Sequence, residues 1–180
     1  MLHQPDIPQN TGSIGRTCMA MGASLHLIRP LGFSINDKLL RRAGLDYWHQ
    51  LNCGIYENWE IFLSANKNPP LWLITARAFR SYDEAKFEKP VYLVFGKETA
   101  GLPLSILSRF PEKCLRIPMA EEARSINLSV AVGIVAFEAL RQHNFSNLHK
   151  KDPKNRLSDR LRSNPIPAKM ESPDPLIEHR

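Results

Sequence analysis

The sequence has no apolar run long enough to cross a lipid bilayer. Its first residues, 1–6, have neither the basic region nor the apolar stretch of a signal peptide. The three cysteines (Cys18, Cys53 and Cys114) are scattered, form no CxxC pair and stand at no metal-ligand spacing from histidine. These absences predict a cytoplasmic protein with free thiols, no disulfide, no metal and no membrane partner.

The common nucleotide fingerprints are also missing, although glycine-containing segments are present. Residues 96–99 (GKET) lack the spacing and the Gly-Lys-Ser/Thr ending of a P-loop. Residues 12–15 (GSIG) are not a GxGxxG motif after a full strand. An ATP or dinucleotide site is therefore disfavoured.

What is present is a basic chain long enough for one core. It has 180 residues, 43% of them hydrophobic and 23% charged, a formal net charge of +6 and a pI near 9.4. The charge favours a polyanionic partner without proving one.

Residues 146–180 differ from the rest of the chain in composition. They contain five of the 14 prolines, with eight Lys/Arg against five Asp/Glu. Few large apolar side chains are available to offset the entropy of ordering, so we expect a globular domain over 1–145 and a basic, Pro-rich, mostly disordered tail. Residues 156–162 could form a short helix within this tail. Its function is either contact with RNA through a basic arm or none, as a solvated tail.

Apolar runs alternate with helical patterns, which predicts an α/β fold with a mainly parallel sheet flanked by helices. We expect strands over 24–28, 71–75, 92–95 and 114–117, and helices over 11–21, 37–43, 58–65, 104–109 and 128–142. The last helix is apolar almost all round, so it must be covered on all sides. This predicts a homodimer through that helix; a fully enclosed core helix is the alternative.

Polar and glycine residues cluster where predicted strands and helices meet. They form three segments: residues 10–16 (NTGSIGR), 95–103 (FGKETAGLP) and 124–129 (RSINLS). In open α/β sheets, ligands bind in the crevice beyond the carboxyl ends of the strands. Each segment alone is equally well explained as a turn, a helix cap or a charged surface, but three of them in one chain predict an enzyme.

In this order, the segments resemble the SPOUT superfamily of RNA methyltransferases that depend on S-adenosylmethionine (AdoMet). The match is to the TrmH/SpoU branch, which methylates ribose 2′-oxygens, and most closely to its TrmL-like subgroup, which modifies the tRNA wobble nucleotide. The three family motifs correspond to residues 8–18 (PQNTGSIGRTC), 93–103 (LVFGKETAGLP) and 116–129. Residues 37–48 (DKLLRRAGLDYW) resemble the signature of the subgroup.

The resemblance implies a trefoil-knotted domain that binds AdoMet without a metal. By position, the AdoMet-binding residues would be Ile74, Gly96, Glu98, Ile117 and Ser125. An apolar slot lined by backbone donors and acceptors suits adenine. In the family a complete apolar strand precedes the first motif, whereas here only residues 1–2 stand before His3, so we expect either a short first strand or a start upstream.

The resemblance also supplies catalytic residues: Arg16, Ser125 and Asn127, with Asn10 organising its loop. A guanidinium does not lose its proton in proteins. We therefore expect Arg16 to orient the RNA phosphate and to stabilise the developing alkoxide, while the 2′-hydroxyl proton passes to phosphate or water.

Basic residues outside the motifs are candidates for contacts with the RNA backbone, with ordinary solvated charges as the alternative. They are Lys38, Arg41, Arg42, Arg77 and Arg124. The expected reaction is 2′-O-methylation of cytidine or a modified uridine at position 34 of a leucine-type tRNA. Methylation of another tRNA or rRNA nucleotide, and a non-catalytic RNA-binding or AdoMet-binding protein, remain the alternatives.

Overall fold

A computed structural model describes residues 1–34, 48 and 50–163. The strands are β1 (Leu2–His3), β2 (Leu25–Ile28), β3 (Cys53–Tyr56), β4 (Leu71–Ile74), β5 (Tyr92–Phe95) and β6 (Cys114–Leu115). The α-helices are α1 (Pro8–Met21), α2 (Trp59–Ala65), α3 (Leu104–Leu107), α4 (Leu128–Gln142) and α5 (Arg156–Ser163). The helix predicted over 37–43 lies outside the described residues.

The six strands form one sheet in the order β3-β2-β1-β5-β4-β6, and every pairing between them is parallel. β1 is only two residues long, yet it lies between β2 and β5 and pairs with both. Parallel pairing places the carboxyl ends of all six strands at one edge of the sheet, where the loops that follow them meet. The predicted α/β class with a mainly parallel sheet is thereby confirmed.

Buried apolar side chains lie in two clusters within this fold. One joins β1, β2 and β5 to α1 and α4, and includes Leu2, Leu27, Ile14 and Val135. The other centres on α2 and α3, with Phe62 fully buried. Each buried side chain of this kind contributes about 1.5–3 kcal/mol to folding, so the clusters fix the strand ends on which the loops depend.

One strand was not predicted from the sequence, and one helix begins earlier than expected. β1 is the short first strand that was one of the two expectations. β3 was not predicted; it has the sequence CGIY, is partly exposed and forms an edge of the sheet, so it lacks a clear apolar pattern. α1 begins at Pro8 rather than at residue 11, since proline is favoured at the first helical position. Asn10 therefore lies in the first turn of a helix.

Helix α4 is not the enclosed core helix that was the alternative to a dimer. Val132, Val135 and Ala139 face the core and are buried. Val130 and Phe137 remain 51% and 43% exposed. A single chain therefore leaves an apolar side of this helix in contact with solvent.

The chain divides into two compact units, Met1–Ser146 and Asn147–Arg180. In the second unit the described residues include α5, which matches the short helix predicted over 156–162. None of the described helices combines the length and apolar character needed to cross a bilayer.

Candidate active site

A pocket of about 580 Å³ lies beyond the carboxyl ends of the central strands. The segments after β4, β5 and β6 and the first turn of α1 all contribute to its wall, together with residues 124–128. The three motif segments, which are far apart in the sequence, thus converge on one cavity. This is the position at which open α/β sheets bind ligands.

Gly96 makes the tight backbone approach on which this cavity depends. A Cβ atom on Gly96 would lie 2.0 Å from the backbone carbon of Gly101 and 2.2 Å from the nitrogen of Leu102. The loop between them closes with a 2.8 Å hydrogen bond from Gly101 N–H to the carbonyl of Lys97, and Gly101 has φ +68°. Only glycine satisfies both requirements without a backbone shift.

The carboxylate of Glu98 connects this loop to the first motif. Its two oxygens accept one hydrogen bond from the backbone N–H of Asp6, at 2.8 Å, and one from Asn10 Nδ2, at 2.9 Å. Thr99 Oγ1 donates to the Asp6 carboxylate at 2.7 Å. Hydrogen bonds to a charged acceptor are the stronger kind, so these contacts hold the loops after β1 and β5 together.

Asn127 connects the third motif to the same network. Its Nδ2 donates to Asn10 Oδ1 at 3.0 Å, while its Oδ1 accepts from the backbone N–H of Ser129 at 2.9 Å and from Ser129 Oγ at 2.7 Å. Asn127 is thus the N-cap of α4, a position that favours asparagine. One side chain both starts the helix and positions the loop before it.

Most of the predicted site residues that fall within the described chain line the pocket. Those that do are Asn10, Ile74, Arg77, Gly96, Glu98, Ile117, Arg124, Ser125 and Asn127. Among them Ser125 is exposed to the cavity rather than buried in its wall. Their individual roles stay predictions.

Arg16 is the exception. It is exposed on α1, within the helix rather than in a loop, and it does not line the pocket that contains Ser125. The described single chain therefore does not bring these two predicted catalytic residues into one cavity. Lys38, Arg41 and Arg42 lie outside the described residues.

Sequence reasoning missed several residues of the site. Asp6, which holds Glu98 and Thr99, carried no pattern that distinguishes it from a surface carboxylate. Lys97, Met119 and Leu128 also line the pocket, and all three lie within the quoted motifs or next to them. Lys97 and Met119 follow predicted strands and Leu128 begins a predicted helix, and these positions were the available signal.

A parallel sheet with a pocket of apolar and polar residues at the carboxyl edge defines an α/β enzyme. The sequence model of the SpoU rRNA Methylase family matches residues 1–137. The chain therefore belongs to the SpoU family of RNA methylases, and the family expected from the motifs is confirmed.

Known relatives agree with this assignment. A protein of Geobacillus stearothermophilus, provisionally named tRNA (cytidine(34)-2′-O)-methyltransferase, is 48% identical over 151 residues, covering 82% of this chain and 96% of the relative. A structure solved in work on the 2-OH methylation of C/U34 on tRNA is 46% identical with a TM-score of 0.76, covering 79% of this chain and 93% of that one. An AdoMet-bound rRNA methyltransferase from Sinorhizobium meliloti is 31% identical with a TM-score of 0.69, covering 78% of this chain and 54% of that one.

Proposed function

We propose that this chain transfers a methyl group from AdoMet to the ribose 2′-oxygen of the tRNA wobble nucleotide, cytidine or a modified uridine at position 34. A leucine-type tRNA is the proposed substrate, and the cytoplasm the proposed compartment. The observation that carries the proposal is the hydrogen-bonded convergence of three motif segments on one pocket, through Asn10, Glu98 and Asn127. The Geobacillus relative and the C/U34 structure support the choice of nucleotide.

The size and the lining of the pocket suit AdoMet. Its volume of about 580 Å³ is that of a small-molecule site, and its wall includes the apolar side chains of Ile74, Ile117, Met119 and Leu128. At Gly96 the missing side chain lets the backbone of Gly101 and Leu102 pack closely, which shapes this part of the wall. When bound, AdoMet supplies an electrophilic methyl group; these residues would hold its adenosine portion.

Each of the proposed catalytic residues has its own role in the transfer. Ser125 and Asn127 position the ribose hydroxyl, and the Asn127 amide is itself fixed by Asn10. Arg16 orients the phosphate and stabilises the developing alkoxide, and the hydroxyl proton leaves to phosphate or water. Positioning and electrostatics would therefore supply most of the rate.

The substrate side of the pocket is basic. Arg77 and Arg124 line it and are exposed, so both are available for phosphate contacts. Lys38, Arg41 and Arg42 are proposed to contribute further contacts. Losing any one phosphate contact should weaken RNA binding. It should also make the slope of log K against log salt concentration shallower by about one.

A homodimer through α4 is part of this proposal. The exposed apolar side of α4, with Val130 and Phe137, supports it. α1 packs against α4 and exposes Arg16, so a dimer through α4 would have Arg16 on a neighbouring helix. We infer that Arg16 acts at the pocket of the second copy, since it does not line the pocket of its own chain.

Subunit complementation tests that inference. Arg16→Ala and Ser125→Ala homodimers should each lose most methyl transfer. Dimers reconstituted from the two variants together should regain activity, because one of their two pockets then combines an intact Arg16 with an intact Ser125. Inactive mixed dimers would show that both residues act within one chain.

The reaction itself is tested by transfer of a tritiated methyl group from AdoMet to bulk tRNA. Incorporation above a no-enzyme control supports the proposal, and incorporation into rRNA alone would support the alternative substrate. AdoMet binding without transfer to either RNA would contradict the enzymatic function.

A further inference from the structure

Phe79 is a large aromatic side chain that is fully exposed to solvent. Its relative exposure is 104%, whereas the other exposed large apolar side chains among the described residues reach at most 71%, at Leu104. Exposed aromatic rings near a functional pocket commonly mark a binding surface. The ring of Phe79 is therefore available for contact with a ligand.

The loop that carries Phe79 is held in place on both sides. Ala78, the preceding residue, is buried, and its N–H donates to the Thr75 carbonyl at 3.3 Å. After Phe79, the Arg80 carbonyl accepts a 2.9 Å hydrogen bond from the backbone N–H of Arg116. The ring thus projects from an anchored turn rather than from a free end.

The same loop forms part of the pocket wall. Thr75, Ala76 and Arg77 line the pocket, and Phe79 follows two residues after Arg77. Arg80 pairs with Glu84 at 3.9 Å and lies over the Trp72 ring, 5.6 Å from its centroid. Arg77, which lines the pocket and is exposed, is the cation of this loop that is available for an incoming phosphate.

An exposed ring on a loop that also contributes a cation to a pocket wall has features of a platform for single-stranded RNA. Proteins recognise unpaired loops by stacking splayed bases on aromatic side chains while cations hold the backbone. A folded protein partner would more often bury an aromatic ring within a larger apolar patch. The charge and the position at the pocket therefore favour RNA.

We propose that Phe79 stacks on a nucleobase of the substrate RNA next to the ribose that enters the pocket. This inference rests on the proposed function, and it adds a positioning residue that selects for an unpaired nucleotide. Its ring would fix the neighbouring base, so that the target ribose is presented to Ser125.

The test compares Phe79→Ala with Phe79→Trp in the full chain. Ile61→Ala serves as the control, because Ile61 is 47% exposed on α2, which packs against the β3 edge of the sheet. Binding of a fluorescent anticodon stem-loop is measured by anisotropy, and AdoMet binding by calorimetry. We expect Phe79→Ala to weaken RNA binding by about tenfold, within the range for stacking of one base, with AdoMet affinity unchanged and with Phe79→Trp and Ile61→Ala near wild type.

Equal RNA binding by Phe79→Ala and the wild type would overturn the proposal. So would loss of the dimer in Phe79→Ala by light scattering, which would make the ring a subunit contact. If the wild-type enzyme methylated another nucleotide, the proposed function would fail, while the effect of Phe79 would still be measurable on that RNA.

Discussion

The side-chain amide of Asn127 donates a 3.0 Å hydrogen bond to Oδ1 of Asn10, 117 residues earlier in the chain. Asn10 in turn donates to Glu98, and Asn127 caps helix α4. A single series of hydrogen bonds therefore joins the loops that follow different strands. The geometry of the pocket depends on each of these side chains.

Asn127→Asp should separate the two functions of this residue. Aspartate is as good an N-cap as asparagine, so Tm should stay near that of the wild type. The donor to Asn10 is lost, however, and the new carboxylate faces an oxygen, so kcat/KM should fall by about a hundredfold through misplaced reacting groups. Asn127→Ala should in addition lower the free energy of unfolding by about 1 kcal/mol. Normal kcat/KM in Asn127→Asp would show that the contact with Asn10 is dispensable.

Gly96→Ala should lower the affinity for AdoMet by about tenfold or more. The added Cβ would lie 2.0 Å from the Gly101 backbone carbon, so the loop must move. Calorimetric titration with AdoMet measures the effect. Ile61→Ala is the control, because Ile61 is 47% exposed on α2 and does not line the pocket. Similar AdoMet affinity in both variants would contradict the role given to the Gly96 loop.

Phe137→Glu should separate the proposed dimer into monomers. Phe137 is 43% exposed on the apolar side of α4, and burying a new carboxylate there is unfavourable. Light scattering in solution gives the molar mass directly. Ile61→Glu, at an exposed position of α2, should remain dimeric. A wild-type protein that is monomeric in solution would contradict the proposed dimer.

Stability should fall as the pH drops from about 6.5 towards 4. Burial lowers the pKa of His26 to about 4, and Tyr56 OH lies 3.0 Å from its Nδ1. In this pH range the unfolded chain binds a proton that the folded chain does not, so the free energy of unfolding falls. Because the ring is partly exposed and its charge is screened by solvent, we expect the loss to be about 1–2 kcal/mol. Burial also lowers the pKa of His3, which adds to the same trend. Chemical denaturation from pH 7 to 4 should show a shallower decline for His26→Gln than for the wild type; identical declines would contradict the assignment.

Elements with a strong apolar pattern were predicted with accurate bounds. The strand Tyr92–Phe95 and the helix Leu128–Gln142 have the predicted limits, because each is a continuous apolar segment bounded by polar or turn residues. Cys53–Tyr56 was missed because its sequence alternates weakly and it forms a partly exposed edge. Propensity identifies buried elements better than edges.

The pocket could be anticipated, but its internal contacts could not. Parallel strands bring their carboxyl ends to one edge, so polar residues at those ends were expected to converge. The sequence contains no signal that Glu98 accepts from the Asp6 backbone, or that Arg16 is exposed on α1 away from the pocket. Both depend on where a helix begins and which side it turns to the core.

The central claim is that this chain, using the pocket lined by Ser125, methylates the ribose 2′-oxygen of nucleotide 34. Methylation of that oxygen removes the nucleophile needed for alkaline cleavage of the adjoining phosphodiester. After incubation with AdoMet and the wild-type chain, tRNA should show a single new alkali-resistant linkage following nucleotide 34, and tRNA treated with Ser125→Ala should not. A methyl group found on a base, resistance at another position, or an unchanged result with Ser125→Ala would contradict the account.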